Sequence, residues 1–149
     1  MALQVPDLPS DLFPQQLARP AAVARTVDLI EEARPGWRVS SALRRAPSNT
    51  DIRVWTAEHP TLGTVAGRTP VEVDQAAERA EELEALRQEY GDRWEIGAEA
   101  RPVGVPRWCW ALSWPRPGDA DRGRYSVTRA TPLRLRAALE DLGGRPPAR

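Results

Sequence analysis

The sequence predicts an α+β domain in which an α-β-β-β-α unit occurs twice around a shared central helix, with antiparallel sheet. Three observations predict it. Tryptophans recur in the same order: Trp37 and Trp94 each open a strand-like segment, and Trp55 and Trp110 each lie inside the next one. Thr69-Pro70 and Thr131-Pro132 each start an amphipathic run. The offsets are 57, 55 and 62 positions, a near-constant period that marks a repeated structural unit with small loop insertions. Short, turn-rich links between successive strand segments imply hairpins. In this alignment Trp110 is the counterpart of Trp55, and the matched tryptophans are expected to be parts of the fold.

Residues 1–19 read as an extended arm, because Pro6, Pro9 and Pro14 forbid a helix. Pro20 suits a helical first turn. Val23, Val27 and Ile30 then recur at helical spacing until Pro35-Gly36. A strand beginning at Trp37, the turn Ser48–Asp51, a strand over Ile52–Ala57 and a third over Thr64–Arg68 follow. Thr69-Pro70-Val71-Glu72 is a capping box with proline at the first helical position. Its helix runs to about Tyr90, with Val73, Ala77, Ala80, Leu83, Leu86 and Tyr90 as its buried stripe. Strands over Trp94–Ala100, Arg107–Trp114 and Tyr125–Thr128 repeat the series. Thr131 caps a last helix with Leu133, Leu135, Ala138, Leu139 and Leu142 as its apolar set, ended by Gly143-Gly144. The repeats are placed at about 20–77 and 78–144, with a disordered tail over 145–149.

Hydrophobic residues make up 41% and charged residues 28% of the chain, which places it among soluble globular proteins. All 21 basic residues are arginine, so every strong cation is planar, bidentate and permanently charged. The net charge is zero but segregated: residues 70–100 carry −7, residues 101–149 carry +6 and residues 1–69 carry +1. Internal neutralisation is the simplest reading of an acidic middle beside a basic end. A single Cys109 excludes an internal disulfide and suits a reducing cytoplasm. The first twenty residues lack the pattern of a signal peptide, and no apolar run is long enough for a membrane helix.

Residues 55–83, WTAEHPTLGTVAGRTPVEVDQAAERAEEL, resemble the sheet-and-helix unit of HicB-type antitoxins, in which two strands precede a Thr-Pro helix start. A DNA-binding appendage of that family is not recognisable. The α-β-β-β-α order is also similar to the double-stranded-RNA-binding fold, but Val71-Glu72-Val73-Asp74 stands where that fold's second helix is basic. The whole chain resembles small proteins of high-GC bacteria that pair a Trp-bearing strand with a C-terminal Thr-Pro helix, a resemblance that implies no activity.

Candidate chemistry is sparse. His59 is the only histidine and reads as a solvated turn residue; Cys109, between Trp108 and Trp110, reads as a packed thiol. No flanking motif joins them as a dyad. Nucleophile-elbow, phosphate-loop, dinucleotide and zinc patterns are missing, and no cofactor is implied. Asp74, Glu78, Glu81 and Glu82 share one helix face and read as solvated or paired with arginine rather than as a metal site.

Trp108, Trp110, Leu112 and Trp114 alternate, so they share one face of a strand. A strand with so much apolar bulk on one side is expected to bury that side. The competing reading is a binding surface built from Trp108 and Trp114 with Arg107, Arg116, Arg122 and Arg124, able to hold a peptide or stack bases. The function expected is a non-catalytic protein-interaction or regulatory module, for example an accessory of a bacterial regulatory or mobile-element system. Its alternative is nucleic-acid binding by the Arg/Trp-rich second half. The partner is expected to be a protein, with no membrane association and a cytoplasmic location.

Overall fold

A computed structural model describes residues 20–115 and 124–147. The expected arm over 1–19, residues 148 and 149 of the expected tail, and the candidate site residues Arg116 and Arg122 lie outside the described residues. The chain is α+β, with α1 (Pro20–Ala33), β1 (Arg38–Arg45), β2 (Asp51–His59), β3 (Gly63–Gly67), α2 (Pro70–Tyr90), β4 (Trp94–Ala98), β5 (Cys109–Ser113), β6 (Ser126–Arg129) and α3 (Pro132–Asp141). Two compact units divide between Ala77 and Glu78, and Pro102–Gly104 belongs to the first. Among the described residues no helix is long and apolar enough to cross a membrane.

The first unit holds an antiparallel sheet in the order β1-β2-β3. The Ala46–Thr50 turn closes β1 onto β2, with the Ala46 N–H donating to the Thr50 carbonyl at 2.8 Å. Asn49 takes the left-handed conformation there, φ 66°, which its short polar side chain tolerates. Val39 pairs with Ala57, and Trp55 with both Ser41 and Gly67. Val39, Trp55 and Ala57 therefore share a face, and all three are buried, as are Ile30, Trp37, Val73, Ala76 and Ala77. The capping box forms: the Glu72 N–H donates to Thr69 Oγ1 at 3.0 Å, and the Arg68 N–H donates to Glu72 Oε1 at 2.9 Å.

His59 is not simply a solvated turn residue. It ends β2, its ring lies 5.1 Å from that of Trp37, and its Nδ1 accepts from the Thr61 and Leu62 backbone N–H groups. Asp74, at the start of the acidic helix face, is held by Arg34 at 2.6 Å.

The second unit has the same strand plan, β4-β5-β6, all antiparallel. Trp94 pairs with Ser113, Ile96 with Ala111 and Ala98 with Cys109; Val127 also pairs with Ala111. These residues form the sheet face that packs against Leu83, Leu86, Tyr90, Leu135 and Leu139 of the two helices. Trp94 is fully buried, and its indole N–H donates to the Gly144 carbonyl at 3.2 Å. That carbonyl is presented by a left-handed glycine pair, Gly143 and Gly144, which ends α3 with the Gly144 N–H on the Leu139 carbonyl. Thr131 caps α3 by accepting from the Arg134 N–H. Leu133, expected in the apolar set of α3, is 74% exposed instead.

The expected correspondence of Trp55 with Trp110 fails. Val39 and Ile96 occupy matching core positions, and across from them stand Ala57 and Ala111. The position matching Trp55 is therefore Cys109, not Trp110. A shift of one residue in a strand turns a side chain to the opposite face, so Trp55 is buried in its unit's core while Trp110 is not.

Candidate interaction face of the second sheet

The one-residue shift decides where the aromatic row lies. Cys109, Ala111 and Ser113 point into the core and are buried, whereas Trp110 and Leu112 are half-buried on the other face. Trp108 and Trp114 continue that row at either end and are 41% and 45% exposed. The expected burial of this face is thus overturned. The physical reason is volume: α2 and α3 bring leucines to the sheet, and a close-packed layer beneath them has room on β5 only for small side chains.

The row crosses the middle of the sheet, with Glu95, Gly97 and Glu99 along one side and Thr128 and Ser126 along the other. Gly97 stands opposite Trp110, and a Cβ there would lie 2.5 Å from Trp110 Cζ2. The glycine is what allows the indole ring to approach β4 this closely.

Both ends of the row are braced alike. At one end Arg107 lies 4.9 Å over the Trp108 ring, and its guanidinium donates to Glu99, the shortest bond being 2.6 Å from Nη2 to Oε2. The Arg107 backbone N–H donates to Glu99 Oε1 at 2.8 Å. These bonds hold the Glu99 carboxyl below the usual carboxylate range, the Arg107 side-chain bond acting most, and they raise the Arg107 guanidinium in turn. At the other end Arg124 lies 5.7 Å from the Trp114 ring centroid and donates to Glu95 Oε1 at 2.8 Å and to the Ser113 carbonyl at 2.6 Å. The Trp114 indole N–H donates to the Gly91 carbonyl at 2.8 Å. Each outer tryptophan is therefore oriented by an arginine that a glutamate has already neutralised.

Four of the six candidate site residues, Trp108, Trp114, Arg107 and Arg124, come together on this face. Sequence reasoning missed their partners Glu95 and Glu99 and the cradle at Gly97. The signal was available: Glu95, Gly97 and Glu99 alternate over residues 95–99 as the tryptophans do over residues 108–114. The candidate chemical residues lie elsewhere. Cys109 is fully buried, with its Sγ 3.5 Å from the Arg129 carbonyl, and burial pushes its thiol pKa up. Among the described residues no three of His, Cys, Asp and Glu converge as a metal site. No known protein family, curated protein or solved structure matches the chain.

Proposed function

We propose that the chain is a protein-interaction module that binds its partner through the outer face of β4-β5-β6, in a binding rather than a catalytic role. The supporting observation is the braced aromatic row. Protein interfaces are enriched in tryptophan and arginine at their energetic centres. Trp108 and Trp114 are ordered before any partner arrives, which lowers the entropic cost of binding.

The same geometry weighs against nucleic acid at this face. Binding to phosphates draws its strength from cations that displace counterions. Here Arg107 and Arg124 are each engaged by a glutamate on the same surface, so the described face carries two cations matched by two anions.

The test is affinity capture from the native host with the immobilised chain, followed by calorimetry with each recovered protein. Wild type and Val71→Ser, a change at an exposed position outside the face, should retain the same partner. The double variant Trp108→Ala, Leu112→Ser should lose it. Equal recovery by all three would remove the proposal. Binding of RNA or DNA at low salt, with a salt slope that falls by about one on Arg107→Ala, would put nucleic acid in its place.

A further inference from the structure

We infer that the free edge of β1, in the first unit, accepts an extended acidic segment of a partner protein as an added strand. Each three-stranded sheet has two outer strands, and an outer strand exposes backbone groups that invite pairing unless something occupies them. On three of the four edges an outward carbonyl is already taken. The Gly104 N–H donates to the Ala66 carbonyl of β3 at 2.8 Å. Arg87 Nε donates to the Ile96 carbonyl of β4 at 2.9 Å, and Arg129 Nη1 donates to the Thr128 carbonyl of β6 at 2.8 Å.

On the fourth edge, that of β1, the one outward group taken among the described residues is an N–H at the second residue of the strand. The Val39 N–H donates to Glu31 Oε2 at 2.7 Å, so Val39 turns its backbone away from β2. By alternation Ser41 and Leu43 do the same. Their outward N–H and C=O groups have no partner among the described residues. From Ala42 to Arg45 the strand is exposed, Leu43 at 49%. The edge is also long, since β1 pairs with β2 over eight positions.

Charge selects the occupant. β1 contains Arg38, Arg44 and Arg45 and no acid. Arg45 is paired with Asp51 at 3.2 Å, while Arg38 and Arg44 have no salt bridge among the described residues and project on one face of the strand. A second copy of this chain fits poorly: in the two-fold register centred on Ser41, Arg38 of one copy would face Arg44 of the other, and like charges directly opposite are destabilising. An extended segment with carboxylates on alternate residues meets both arginines while its backbone pairs with Ser41 and Leu43, the strand-addition mode of peptide recognition.

The probe is a fluorescein-labelled peptide of alternating valine and glutamate, about eight residues long to match a strand, titrated with the full chain and read by anisotropy. Two controls separate pairing from charge. One is the same peptide N-methylated on alternate residues; the other is Leu43→Pro, which removes an outward N–H without touching the β1–β2 ladder. Saturable binding that weakens about tenfold or more with either control, and also with Arg44→Glu, is the expected result. The peptide control needs no altered protein, so the test survives a Leu43→Pro variant that fails to fold. No binding of the unmodified peptide, or equal binding of the N-methylated one, would overturn the inference. So would a concentration-dependent dimer in sedimentation that Leu43→Pro abolishes, because a second copy would then be the occupant.

Discussion

The ring of Trp110 occupies the space that a side chain at position 97 would need: a Cβ on Gly97 would stand 2.5 Å from Trp110 Cζ2. The outer face of the second sheet is therefore a fitted surface, in which the smallest residue of β4 and the largest of β5 are complementary across the strand pair.

Gly97→Ala should destabilise the chain by about 1–3 kcal/mol through overpacking. In the double variant Gly97→Ala, Trp110→Ala the clash is gone, so the two effects should be strongly non-additive. Urea unfolding of the four proteins measures this, and additive losses would contradict the packing described.

Trp94 and Trp108 should behave oppositely. Trp94 is fully buried and hydrogen-bonded, so Trp94→Ala should cost about 3–5 kcal/mol. Trp108→Ala should cost much less, about 1 kcal/mol, as a substitution at a surface site where the ring is 41% exposed. Similar losses for the two would return the aromatic row to the core.

The Glu99–Arg107 pair gives a pH dependence with a defined sign. The Glu99 carboxyl is lowered in the folded chain, first by the Arg107 side-chain bond and then by the Arg107 backbone N–H. A lowered carboxyl contributes stability that is present at neutral pH and lost as pH falls through the folded value. Glu99→Gln should therefore be less stable than wild type at pH 7, and the gap should narrow progressively as pH falls below the ordinary carboxylate range. Unfolding midpoints measured across that range check it, and a gap that widens on acidification would contradict it.

Cys109 should resist alkylation. It is fully buried and its thiol is pushed up by desolvation, so iodoacetamide at mildly alkaline pH should label the chain in urea and leave the native protein unmodified. Rapid labelling of the native chain would mean that β5 opens to solvent.

Local signals were legible in the sequence because they act locally. Proline at Pro70 and Pro132, threonine caps at Thr69 and Thr131, and the glycine pair at Gly143-Gly144 each fix their own neighbourhood, and the helices begin and end there. The α+β class and the antiparallel hairpins followed from these boundaries. The orientation of β5 was not legible in the same way. Alternation along it separates Cys109, Ala111 and Ser113 from Trp110 and Leu112, but it does not say which set faces inward. That choice belongs to α2 and α3, whose leucines fill the core and leave room for the small set. The recurrence of tryptophan at positions 55 and 110 hides the register in which Cys109, not Trp110, takes the place in β5 that Trp55 takes in β2.

The most direct test of the interaction face is hydroxyl-radical footprinting of all six tryptophans by mass spectrometry, for the chain alone and with its captured partner bound. Alone, Trp108 and Trp114 should oxidise fastest, Trp110 more slowly, and the buried Trp37, Trp55 and Trp94 least. With the partner bound, Trp108, Trp110 and Trp114 should become protected together while the other three stay unchanged. Oxidation of the row that is unaffected by the partner, or already as slow as that of Trp94 in the chain alone, would contradict the account.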